Sequence, residues 1–98
     1  MKNLFQYLDK AFENKLRLGI MSILLVNASA TYNTLKETLE ATDGNLASHL
    51  KHLEKLGYIS VYKSFVDRKP NTEYAITDNG KIAFEKHLNT LEEILKNL

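Results

Sequence analysis

Residues 42–57 constrain this chain more than any other stretch, because they spell a helix with a signal at each end. Thr42 can accept the backbone N–H of Gly44 or Asn45, and Asp43 sets a negative charge on the positive end of the helix dipole. Leu46, Leu50, Leu53 and Leu56 recur at helical spacing and form one apolar stripe. Gly57 follows where a residue without Cβ can turn left-handed. The period then changes to two. Ile59, Val61, Lys63 and Phe65 point one way and Tyr58, Ser60, Tyr62 and Ser64 the other, which predicts a strand.

Around this centre the pattern predicts four more helices and a second strand. Leu4, Phe5, Leu8 and Phe12 predict a short amphipathic helix over 3–12. Asn14 is a plausible cap for a helix from Lys15 to Asn27, with Leu16, Ile20, Ile23 and Leu24 facing inward. Gly19 inside it costs about 1 kcal/mol relative to alanine, which points to close helix packing. Residues 29–32 read as a stub of strand, and Asn33 as the cap of a helix reaching Glu40. Residues 67–71 are a turn-rich, charged hairpin tip, and Thr72–Ile76 the second strand. Thr77 caps a last helix from Asp78 to Leu98, where Phe84, Leu88, Leu91, Leu95 and Leu98 make a coiled-coil-like seam that Ile82 and Ile94 widen.

The 98 residues bound one small domain with one core. The chain has no cysteine, so disulfides, thiolate zinc sites and cysteine nucleophiles are excluded, and nothing places it outside the cytoplasm. No apolar run approaches the roughly 18–20 residues of a membrane span, and Met1 to Phe5 turns polar too soon for a signal peptide. The net charge of +1 is unevenly spread: residues 42–70 carry +2 and residues 71–98 carry −2. A basic middle with an acidic tail permits a polyanionic partner.

Helix, stub strand, helix, tight turn, capped helix and hairpin is the element order of a winged helix-turn-helix, in which the second helix of the unit enters the major groove. The expected class is α+β, mostly helical, with extra N- and C-terminal helices. Two stretches carry a family resemblance. Thr42-Asp43-Gly44-Asn45-Leu46, Ser48-His49-Leu50 and Leu53 through Ile59 resemble the recognition-helix signature of small stand-alone winged-helix transcriptional regulators related to the MarR and ArsR groups. Asp67-Arg68-Lys69 followed by Thr72 through Gly80 is similar to their wing pattern. The resemblance runs from about Leu16 to Leu95. It implies double-stranded DNA as partner, a homodimer, and room for a small-molecule effector. ArsR-type metal sites use cysteines, so metal sensing by that route is not implied.

The expected DNA-binding residues are Thr42, Asn45, Ser48, His49, His52 and Lys55 on the helix, and Lys63, Ser64, Arg68 and Lys69 on the hairpin. Asn can bind adenine through two bonds, Ser and His suit several base edges, and Lys suits guanine or phosphate. The helix N-terminus at Thr42 can meet a phosphate. One of Arg68 and Lys69 would enter the minor groove, where narrow tracts deepen the negative potential. A protonated imidazole would gain from such contacts, so His49 and His52 predict affinity that rises below neutral pH. The two histidines also have the spacing of a metal pair, but no third ligand lies near in sequence, and no cofactor is expected. His87 reads as a surface or interface residue.

Phe84 and Ile82 are expected to reach the core. Leu88, Leu91, Leu95 and Leu98, with Leu4, Phe5, Leu8 and Phe12 from the first helix, are expected to form a dimer interface from segments 1–13 and 78–98. A two-fold dimer would present recognition helices about 34 Å apart, one DNA turn, or a multiple of it. Phe5, Tyr7, Phe12, Tyr74 and Phe84 fit the core first and an effector pocket second. The chain shows no carboxylate pair in a plausible pocket, phosphate loop or catalytic triad, which argues against an enzyme. The competing reading is a winged helix that binds protein rather than DNA.

Overall fold

The computed structural model describes residues 3–98; Met1 and Lys2, the start of the expected interface segment 1–13, lie outside the described residues. Helix α1 runs Lys15–Val26, strand β1 Ala30–Thr31, α2 Tyr32–Leu39, α3 Asp43–Lys55, β2 Ile59–Val66, β3 Lys69–Ile76 and α4 Asp78–Lys96. The strands form one antiparallel sheet in the order β1-β3-β2. Ile20, Met21 and Leu24 of α1, Leu35 of α2, Leu46, Leu50 and Leu53 of α3, Ile59, Tyr74 and Phe84 meet in a single core.

Local chemistry fixes most boundaries. Asn14 accepts the backbone N–H groups of Leu16 and Arg17 and starts α1. The cap of α2 is Thr31 rather than Asn33: its hydroxyl accepts the Thr34 N–H at 3.1 Å, so one residue both ends β1 and opens the helix. Thr42 caps α3 by accepting the Asn45 N–H, and Gly57 turns out of the helix with φ +79°. A Cβ on Gly19 would meet the Leu39 side chain at 2.5 Å, so α1 and α2 cross closely there.

Several further expectations need correction. Residues 3–12 form two short 3-10 turns, Leu4–Tyr7 and Lys10–Phe12, not one helix. The Asn3 and Asp9 side chains accept the N–H groups of Phe5 and Ala11, and these local bonds compete with a continuous helix. The hairpin tip is a two-residue turn, Asp67-Arg68, and Lys69 already pairs with Val66. Both turn residues have positive φ, 51° and 66°, which matches the right-handed twist of the flanking strands. Lys63 and Phe65 lie beyond the core in solvent, because the hairpin outruns the helices beneath it.

Another correction concerns α4. Its buried face is Gly80, Phe84, His87, Thr90 and Ile94, while Ile82 is exposed and the leucines from Leu88 to Leu98 grow more exposed toward the C-terminal end. His87 is 4% exposed, not a surface residue. Its Nδ1 accepts the Asp9 N–H at 3.0 Å, and Tyr58 donates its hydroxyl to Asp9 Oδ2 at 2.7 Å. Phe12 is expected on the dimer face but fills the centre of this clasp, with ring centroids 5.5, 5.0 and 5.2 Å from Tyr58, Phe84 and His87. Burial, and then the hydrogen bond to Asp9, push the Tyr58 hydroxyl up to about 12, so it stays a donor at neutral pH. Thr90 satisfies its hydroxyl on the Lys86 carbonyl.

Candidate nucleic-acid interface

Helix α3 is held from both sides. Leu46, Leu50 and Leu53 anchor it in the core. At its start, Tyr32 of α2 donates its hydroxyl to Asp43 Oδ1 at 2.9 Å, and Lys36 Nζ lies 3.1 Å from the same oxygen. The Tyr32 hydrogen bond and then Lys36 hold the Asp43 carboxyl below the usual carboxylate range. The turn between α2 and α3 is thereby pinned, with Glu40 in the left-handed region at φ 49°.

A helix turns about 100° per residue, which sets the outward face. Opposite the leucines stand Gly44, Ser48, Lys51 and Lys55, with Asn45 and His52 on one flank; all six are exposed. Thr42, at the cap, is exposed as well. Lys51 is therefore a candidate contact that the sequence spacing did not single out. Only its angle from the leucine stripe reveals it.

His49 departs from expectation. It is half-buried and turned toward α1, where Arg17 Nη1 donates to its Nδ1 at 2.9 Å. The Arg17 Nε donates in turn to the Ala11 carbonyl at 2.7 Å. Burial, the Arg17 charge and His52 all lower the His49 pKa from its ordinary value. His49 is thus a neutral acceptor that ties α1 to α3. Protonating its Nδ1 would break the Arg17 bond, which opposes the expected gain in affinity on acidification.

On the hairpin, Lys63, Arg68 and Lys69 are exposed and Ser64 is half-buried. Lys63 pairs with Thr72 and Ser64 with Asn71, so the two side chains leave opposite faces of the ribbon. Among the described residues, the ion pairs within 4.0 Å are Lys36–Asp43 and Lys96–Glu92. Lys51, Lys55, Lys63, Arg68 and Lys69 therefore remain free for an anion. An open cleft of about 660 Å³ lies beside α3, lined in part by Lys15, Gly19, Leu39, Thr42, Asn45 and His49. Among the described residues no group of three His, Cys, Asp or Glu side chains could hold a metal.

A pinned two-helix unit with an outward polar face, flanked by a basic two-stranded wing, defines a winged helix-turn-helix. Comparison with known proteins agrees. Residues 16–95 match the model of the winged helix DNA-binding domain. An uncharacterized protein of Methanocaldococcus jannaschii is 35% identical over 89 residues, covering 91% of this chain and 97% of its own. The structure of a transcriptional regulator homologue from Pyrococcus horikoshii superposes with a TM-score of 0.88 at 34% identity, covering 99% of this chain and 97% of that one. NadR, solved in complex with 4-hydroxyphenylacetate, shares the fold with a TM-score of 0.74 at 19% identity, over 96% of this chain and 66% of its own. The chain belongs to the winged helix DNA-binding domain family. No helix among the described residues is long and apolar enough to cross a membrane.

Proposed function

We infer that this protein is a dimeric repressor that binds a pseudo-palindromic duplex, with α3 in the major groove and the wing, residues 63–71, at the minor groove and backbone. The observation that carries this is the division of α3 itself: three buried leucines on one side, and Asn45, Ser48, Lys51, His52 and Lys55 exposed on the other. Asn45, Ser48 and His52 suit base edges, while Lys51, Lys55 and the Thr42 end of the helix suit phosphate or guanine. Lys63, Ser64, Arg68 and Lys69 add backbone contacts and a cation for the minor groove. His49 supports the surface from behind, through Arg17. Exposed Leu88, Leu91 and Leu95 on α4 and Leu98 just beyond its end, with Leu4, Phe5 and Leu8 beside the helix, supply the dimer face.

Winged helices also serve as protein-binding modules. The unpaired cations around α3 and the wing favour DNA over that alternative. The complex of NadR with 4-hydroxyphenylacetate supports a small-molecule effector, and the cleft beside Thr42, Asn45 and His49 is a place where one would bear on α3.

Selection from random duplexes, followed by gel shift at two salt concentrations, tests the reading. The expected result is one enriched pseudo-palindrome whose half-sites lie about one turn apart. Its affinity should fall steeply with salt, and Lys55→Ala should make the fall shallower by about one unit of slope per protomer. An unenriched pool would overturn sequence-specific binding.

A further inference from the structure

The wing carries an apolar feature that its cations leave unexplained. Phe65 is 76% exposed, and its cross-strand partner is Pro70. Residues two apart along a strand share a face. Phe65 and Pro70 therefore continue the face on which Lys63 pairs with Thr72, Val61 with Tyr74 and Ile59 with Ile76. The inner end of that face, Ile59 and Tyr74, packs into the core with Leu46, Leu50 and Leu53 of α3. An exposed aromatic at the end of a strand invites pairing or aggregation unless something covers it.

The surroundings say what does. Between residues 63 and 70 the charges are Lys63, Arg68 and Lys69 against Asp67. A two-fold contact between wings would place each patch against its own copy, cation against cation. An apolar ring with Lys63 on its own face, Arg68 at the adjoining tip and Lys69 on the reverse face instead complements a minor groove, whose phosphate walls attract the cations and whose base steps admit apolar wedges. Pro70 suits the task because its φ is fixed and it has no N–H to leave unpaired at an open strand edge.

We propose that Phe65, backed by Pro70, enters the minor groove beside the bases read by α3 and wedges against a base step there, which makes it a specificity-determining residue. This rests on the DNA-binding reading above and adds an apolar contact to it. Pyrimidine–purine steps unstack most easily, so the site carries such a step under the wing, and the bound duplex is bent.

The test uses the full chain and the selected duplex, with fluorophores at the duplex ends to read bending by energy transfer. An apolar wedge releases no counterions. Phe65→Ala should therefore bind about tenfold more weakly at every salt concentration, with unchanged salt slope and less bending. Phe65→Leu should keep most of both. Arg68→Ala should flatten the slope instead. Replacing the pyrimidine–purine step by an A-tract should weaken the parent more than Phe65→Ala. The side chain is exposed, so an unchanged melting temperature confirms that the variant folds. If Phe65→Ala binds and bends DNA like the parent while Lys55→Ala is still impaired, the wedge is wrong and the DNA reading stands. If Phe65→Ala changes the sedimentation of the free protein and leaves bending alone, the surface belongs to a second copy. A parent that binds no duplex removes both proposals.

Discussion

Arg68 stands where the backbone would prefer glycine. A two-residue hairpin turn of this kind needs positive φ at both central positions, and Asp67 at 51° and Arg68 at 66° supply it. Asp tolerates the left-handed region, whereas a long side chain there costs about 1 kcal/mol. Such a cost at an exposed tip is consistent with a cation placed for binding rather than for folding. Arg68→Gly should then hold or raise the melting temperature while weakening DNA binding and flattening its salt slope. A variant that loses stability together with affinity would contradict this. His49 gives the second prediction at this scale. Its pKa is lowered in the folded chain, chiefly by burial, from the ordinary 6.5. Just below that value the unfolded chain binds a proton that the folded chain does not, so stability falls with pH across the window beneath it. His49→Gln removes the titration. Its melting temperature should change less than the parent's between about pH 7.5 and about pH 5.5. Parallel curves would show that the Arg17–His49 bond has no such role.

Among the elements, α3 was largely legible in the sequence because what specifies it is local. Thr42, Leu46, Leu50, Leu53 and Gly57 lie within one stretch and do in the fold what their chemistry predicts, whereas Leu56, expected to end the apolar stripe, is 46% exposed just past the helix. Thr42→Ala should cost about 1 kcal/mol in a urea titration, since the Asn45 N–H loses its acceptor. The buried face of α4 was legible only in part. It includes His87 and Thr90, and His87 is buried only because the Asp9 N–H arrives from a residue 78 positions away. Phe84 meets the core as its spacing predicts and the four leucines lie outside it as expected, whereas Ile82, expected in the core, is exposed. The N-terminal helix failed for the opposite reason, since nearby Asn3 and Asp9 side chains outcompeted the apolar period. The exposed face of α3 is mostly readable, because a leucine stripe implies its opposite face. Half-buried His49 and exposed Lys51 are the hard positions, because one turn of a helix separates a flank from a crest. Gly80 tests how tightly α4 sits. A Cβ there would strike the backbone carbonyl of Tyr58, which cannot move aside as a flexible side chain would. Gly80→Ala should destabilise the protein by about 2–3 kcal/mol, read from the shift of the urea midpoint.

At the scale of the molecule, the question is what covers the leucines of α4. The chain exposes 6907 Å², whereas a compact monomer of 11.2 kDa exposes about 5,700 Å². The surplus of about 1,200 Å² exceeds the roughly 800 Å² that each partner contributes to a standard interface. Part of it is the wing, and the molecule is long, 57 × 25 × 21 Å. The apolar part along α4 and its end is a row: Leu88 and Leu91 at 38% exposure, Leu95 at 72%, and Leu98, two residues past the helix, at 83%. Their three-and-four spacing is that of a helix seam, and a second copy of α4 is the surface that matches it. Leu91→Glu with Leu95→Glu places like charges along such a seam while leaving the protomer core untouched. The proposed dimer should then sediment as a monomer at tens of micromolar, with an unchanged helical signal. Its affinity for a full pseudo-palindrome should fall toward that for a single half-site, because joining two modules is what raises the effective concentration of the second. A parent already monomeric under those conditions would leave the row to another partner. A monomeric variant that still binds the full site like its parent would mean that one protomer reads the DNA by itself.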